Sequence, residues 1–180
     1  MDLSLQLENG VVVDKRSDKS YMFYYGHIPN NSTVKTTRRP RKYQCYLDIA
    51  IHRSDNIHID DFDCMRPGEG KGKGKILLCT SLKYLKDELG LKDDTRVSLT
   101  AMSLDKKEPR KSQDKLISYY TKKYGFQVIS EKLKGEDMYM TDMSTTIANI
   151  ISHCSRPSTP KQSILNRLQR ALTFRRRTPV

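Results

Sequence analysis

The chain has no tryptophan, only four phenylalanines, and no apolar run near the ~18 residues that a membrane-spanning helix needs. It has no Cys-x-x-Cys. Its four cysteines, Cys45, Cys64, Cys79 and Cys154, and its four histidines, His27, His52, His58 and His153, lack zinc-site spacing. They read as free thiols and ordinary structural histidines, and no metal is expected. No charged-then-apolar leader opens the sequence, which sets the expectation of an intracellular protein, cytoplasmic or nuclear. Acidic residues are missing from one stretch altogether. From Arg156 onward the chain carries Arg156, Lys161, Arg167, Arg170, Arg175, Arg176 and Arg177, seven of its formal net charge of +12. By subtraction the body holds about +5, a modest excess for a domain that binds an anion.

What is present is enough for one domain with tails. The chain has 180 residues, 36% hydrophobic and 30% charged. Residues 3–13, 21–28, 43–52 and 57–65 are rich in β-branched and aromatic residues and are separated by polar turns, so they read as four strands of an antiparallel meander. Residues 75–89 form an amphipathic helix on Ile76, Leu77, Leu82, Leu85 and Leu89, and Gly90 ends it. After that come a strand over 96–104, a helix over 113–123, and strands over 126–130 and 138–143. Strands first and then helix and strand in alternation make an α+β pattern.

Chemistry concentrates where the fourth strand meets the first helix. Residues 66–75 hold four glycines, Gly68, Gly70, Gly72 and Gly74, and three lysines, Lys71, Lys73 and Lys75. Glycine allows positive φ, so successive N–H groups can converge on one anion, and the following helix adds free donors and the positive end of its dipole. Gly70, Lys71, Gly72, Lys73, Gly74 and Lys75 are therefore the candidate phosphate-binding residues. The spacing excludes a Walker loop, because the fifth residue after Gly68 is Lys73 where glycine is required. It excludes a dinucleotide fingerprint as well, because the fifth after Gly70 is Lys75.

The pattern that fits is Glu69-x-x-Gly72-x-Gly74 ahead of an apolar helix. It resembles the pyrophosphate-binding motif Arg/Gln-x-x-Gly-x-Gly/Ala of the GCN5-related N-acetyltransferases (the GNAT family), with glutamate in the first place as a departure. A second segment resembles the same family. It is a late helix ending in Tyr119-Tyr120, then Thr121-Lys122-Lys123-Tyr124, then Gly125-Phe126 and a strand, with one residue more in the turn than the family usually has. Together the resemblance covers roughly residues 57–143.

The resemblance implies a GNAT-like α+β fold, a mixed, mostly antiparallel central sheet flanked by helices. It also implies acetyl-CoA as co-substrate and transfer of its acetyl group to an amine of a protein or small molecule. Tyr120 would protonate the departing thiolate, with Tyr119 as the fallback. Asp61 or Asp63 would supply the base. Alternation puts Asp61 and Asp63 on one face of their strand and Asp60 on the other. Gln113 stands where the family often has asparagine. The helical pair that usually follows the family's first strand is missing, because residues 14–20 are too few for it, and the basic loop 29–42 is a candidate replacement.

The expected organisation is an acyl-CoA-binding domain over 1–152 and a flexible basic tail over 153–180. In the tail Ile164, Leu165, Leu168, Ala171 and Leu172 recur at helical spacing among arginines, which suits nucleic acid, an anionic membrane or a partner groove. The competing reading of the whole chain is a non-catalytic GNAT-like adaptor that binds through this basic loop and tail.

Overall fold

The computed structural model describes residues 4–26, 43–53, 55–64, 72–103, 105, 107–133 and 138–155. In chain order the strands and helices are β1 (Ser4–Gln6), a 3-10 turn (Glu8–Gly10), β2 (Val11–Ser17), β3 (Ser20–Tyr25), β4 (Cys45–Arg53), β5 (Asn56–Cys64), α1 (Lys73–Leu89), β6 (Arg96–Met102), α2 (Pro109–Tyr124), β7 (Gln127–Leu133), β8 (Tyr139–Thr146) and α3 (Ile147–Ser155). The eight strands form one sheet in the order β1-β2-β3-β4-β5-β6-β8-β7. Every neighbouring pair is antiparallel except β5 with β6. This is the expected α+β class. The parallel pair follows from connectivity: α1 is a crossover that returns the chain to the same end of the sheet.

Alternation along the strands sorts residues onto two faces. Val11, Val13, Tyr21, Phe23, Cys45, Leu47, Ile49, Ile57, Ile59, Val97, Leu99 and Ala101 are buried in one core cluster with Leu77, Leu78, Leu82 and Leu85 of α1 and Ile147 and Ile150 of α3. Leu116, Ile117 and Tyr120 of α2 pack against that cluster, so all three helices lie on one face of the sheet. The far face carries a smaller buried cluster of Met22, Tyr24, Tyr43 and Tyr46. Among the described residues no helix covers it. Strands β2 and β3 are joined by a tight turn that leaves no room for a helix between them.

Helix ends follow local rules. Gly90 takes the left-handed conformation at φ 62° and its N–H bonds the Lys86 carbonyl, ending α1. Gly125 does the same for α2 at φ 74°. At α3 the Thr146 hydroxyl accepts from the Asn149 N–H at 3.2 Å, a side-chain cap on the first turn.

Four differences from the sequence reading stand out. Residues 3–13 are not one strand: Asn9, at φ 59°, turns the chain between β1 and β2 so that they pair as a hairpin. α1 begins at Lys73. Helix α3 had no counterpart, and it crosses residues 152 and 153. The cysteines are not free thiols: Cys45 is bonded to Cys64 and Cys79 to Cys154. The β4–β5 register sets Cys45 opposite Cys64, and packing of α1 on α3 brings Cys79 to Cys154 with 6.0 Å between Cα atoms. Sequence separations of 19 and 75 give no sign of either bond.

Candidate functional site

The parallel β5–β6 ladder is short. It runs from Asn56↔Arg96 to Ile59↔Leu99 and stops, although β5 continues to Cys64 and β6 to Met102. Beyond Ile59 the strands part and leave a fork in the middle of the sheet. A bulge in β5 sits at the same point, since Ile49 pairs with Ile59 but Asp48 pairs with Asp61, which makes Asp60 the extra residue. The bulge also sets the facing. Leu47 and Phe62 pair on the helix side, and Asp48 with Asp61 and Tyr46 with Asp63 pair on the far side.

Tyr120 reaches the fork from α2. Its ring packs edge-on against Phe126 at 5.9 Å and against Tyr119 at 5.5 Å between centroids. Burial pushes its phenol up to about 12, with the negative fields of Tyr119, Asp61 and Asp63 adding to the effect. Tyr120 comes from the helix side of the sheet and Asp61 and Asp63 face the other side of β5, yet the carboxylates act electrostatically on the phenol beyond the end of the β5–β6 pairing. The phenol keeps its proton throughout the neutral range. Tyr119 is 42% exposed, and its hydroxyl lies 3.3 Å from that of Tyr124. On the far face, Tyr46 donates to Asp61 Oδ2 at 2.5 Å. Burial raises the Asp48 carboxyl, Arg16 at 3.6 Å opposes that shift, and Asp60 and Asp61 reinforce it.

The glycines at the head of α1 have separate reasons. Gly72 is the N-cap at φ 89°, where an L side chain is strained, and no side chain among the described residues caps the helix. Gly74 is buried and packs so closely on β5 that an added Cβ would lie 2.9 Å from Cys64 Sγ and 3.3 Å from Phe62 Cζ. Lys73 bonds the Gln44 side chain and lies over the Tyr25 ring, tying the start of α1 to the end of β3 and the residue just before β4. Lys75 lines a groove of about 730 Å³ along the outer side of α1, together with Gly72, Ile76, Lys83 and Lys123. Gly70 and Lys71 lie outside the described residues, as do Glu69, the basic loop 29–42 and the tail from 156.

Gln113, faint in sequence, is fully buried and bridges strands. It donates to the Ala101 carbonyl at 2.9 Å and the Thr141 hydroxyl at 2.8 Å, and it accepts from the Ser103 N–H at 2.8 Å. These bonds fix α2 against β6 and β8, and so fix the height of Tyr120 over the fork. The sequence reading passed over His58 as an ordinary histidine. It stands opposite Ser98 on the last rung but one of the parallel ladder, and its Nδ1 lies 3.0 Å from Ser98 Oγ. The strand pattern gave its position, but only the parallel register could show its partner.

No protein-family model matches the chain, and no curated protein matches it in sequence. Solved structures similar to it include the spermidine N-acetyltransferase from Vibrio cholerae in complex with CoA and spermine, at 12% identity and TM-score 0.49, covering 74% of this chain and 69% of that one. A putative streptothricin acetyltransferase from Bacillus anthracis in complex with acetyl coenzyme A is similar at 9% identity and TM-score 0.49, covering 73% and 64%. The ribosomal-protein-S18-alanine N-acetyltransferase from Escherichia coli is similar at 11% identity and TM-score 0.44, covering 81% and 76%. The architecture of the described residues, one mixed sheet of eight strands with three helices, is α+β. The likenesses, at TM-scores of 0.44 to 0.49, carry no argument, and the chemistry rests on the geometry above.

Proposed function

We propose that the protein is an acetyl-CoA-dependent N-acyltransferase acting on an amine of a protein or small molecule. The observation that carries this reading is the fork. Strands β5 and β6 part after Ile59↔Leu99, with a protonated phenol on one side and carboxylates on the other. A helix N-terminus with no side-chain cap among the described residues begins eight residues after β5 ends, at Gly72.

The donor fits the residues present. The first amides of α1 behind Gly72, with Lys73 and Lys75 adding charge, suit a pyrophosphate. Gly70 and Lys71 complete the proposed set from sequence. Acetyl-CoA supplies the activated acyl group as a thioester. The protein's part is to hold the two reactants together, which contributes ~7–11 kcal/mol to lowering the barrier when the alignment is good. On the far face Asp61 and Asp63 draw a cationic amine toward the fork. Tyr46 holds one oxygen of Asp61, which orients the other. Tyr120 supplies the proton for the departing thiolate. An ammonium bound at Asp61 and Asp63 offsets the field that raises the phenol, so acceptor binding makes Tyr120 a readier acid.

The test is a mass-spectrometric screen of the full chain with acetyl-CoA against polyamines and lysine-containing peptides, run beside Tyr120→Phe and Tyr119→Phe. Wild type and Tyr119→Phe acetylate an amine, whereas Tyr120→Phe keeps its acetyl-CoA affinity and loses about 10²-fold in kcat. Acetyl-CoA binding without any acetylated product would instead favour the adaptor reading, in which the basic loop and tail engage nucleic acid or membrane.

A further inference from the structure

His58 stands with a hydroxyl against one ring nitrogen and a carboxylate near the other. Ser98 Oγ lies 3.2 Å from the Ile57 carbonyl and 3.0 Å from His58 Nδ1. With its one hydrogen donated to the carbonyl, the same oxygen accepts from Nδ1–H. In that arrangement Nε2 keeps its lone pair. Nε2 lies 3.9 Å from Asp60 Oδ1, too far for a hydrogen bond and near enough to stabilise an imidazolium. Asp60 occupies that place because it is the bulged residue of β5. The ring is half-buried, on the same face as Asp61 and Asp63 and on the last rung but one of the parallel ladder.

Its charged surroundings are mixed. From β5 it meets Asp60 and, beyond the bulge, Asp61. From β4 the His52 ring lies 5.8 Å away, with Asp48 farther along. From β6 it meets Ser98, with Arg96 two residues back. The helix layer lies on the opposite face.

Building on the acyl-transfer reading, we infer that His58 is the general base for the amine, with Ser98 and Asp60 as its positioning residues. The acceptor arrives as an ammonium with no lone pair to share. His58 Nε2 takes one of its protons, and the freed nitrogen lone pair forms the N–C bond to the thioester carbonyl carbon. The C–S bond breaks with its electrons left on sulfur, and Tyr120 protonates that thiolate. The acylated nitrogen still carries one proton too many and releases it to solvent as the C–S bond breaks; the imidazolium likewise returns its proton to solvent, and Tyr120 regains one from solvent. Asp61 and Asp63 bind the cation in this scheme and take no proton.

The test compares wild type, His58→Asn, Ser98→Ala and Asp60→Asn with spermidine and lysine-peptide acceptors. The kcat/KM–pH profiles are recorded with acetyl-CoA affinity and a long-range ¹H–¹⁵N spectrum of the imidazoles. His58→Asn is expected to lose ~10²- to 10⁴-fold in kcat/KM and the ascending limb of the profile, with acetyl-CoA affinity unchanged. Ser98→Ala is expected to lose the Nδ1–H preference of His58 in the spectrum and part of the rate. A wild-type profile retained in His58→Asn overturns the role of His58 and leaves the acyl-transfer reading standing. Failure of the wild type to acetylate any amine overturns that reading, and the role of His58 falls with it.

Discussion

The two faces of the sheet differ in kind. The helix face is mostly apolar, from Val11 and Phe23 through Leu47 and Ile57 to Leu99 and Met143, with the Gln113–Thr141 bond as a buried polar exception, and α1, α2 and α3 share one core with it. The far face has a small aromatic cluster and then carboxylates, His58, Ser98 and Thr100. One chain supplies both because alternate residues of each strand point opposite ways. Stability and chemistry are thereby separated almost residue by residue, and they meet only at the fork, where Tyr120 from the helix side approaches Asp61 and Asp63.

Substitutions can break or sharpen this separation. Leu82 of α1 is fully buried, and Leu82→Ala is expected to cost ~2–5 kcal/mol of unfolding free energy, read from urea titration. At low temperature, where the fold persists, its turnover should stay near wild type. The Tyr120→Phe deficit of about 10²-fold, ~2.7 kcal/mol in activation energy, should come with little change in stability. If Leu82→Ala abolished turnover while remaining folded, the two faces would not be separable.

A smaller effect divides the motif glycines. Gly74→Ala must press a Cβ into Cys64, whose sulfur cannot swing away because it is bonded to Cys45. A stability loss of ~1–3 kcal/mol is expected, visible as a lower Tm. At Gly72 an added Cβ meets nothing within 4 Å, so the only penalty is the positive φ. A Tm for Gly74→Ala at or above that of wild type would contradict this packing account.

Much of the fold was legible because its signals are local. The meander, α1 with its Gly90 stop, and the strands around α2 follow from period and turn chemistry. Thr146 with Ile147, Ile150 and Ile151 carried a cap and a helical period for α3 too, but the β-branched run 145–147 reads equally as a continuing strand. The disulfides and the Ser98–His58 contact were not legible. Each joins residues that only the pairing register or helix packing brings together, 19, 75 and 40 positions apart. At the site, the sequence resemblance put Tyr120, Asp61 and Asp63 forward, and the fork is what sets them near one another. For Gly74 the motif gave the residue without its packing reason, which is the close approach of α1 to Cys64 and Phe62.

The central claim is that the head of α1 and the fork beside it hold acetyl-CoA. A calorimetric titration of acetyl-CoA into the full-length wild type and into Gly72→Ala tests it most directly. The account predicts saturable binding to one site in the wild type and clearly weaker binding in Gly72→Ala, whose turn can no longer present the helix amides together. No saturable binding by the wild type, or equal affinity in the two proteins, would contradict it.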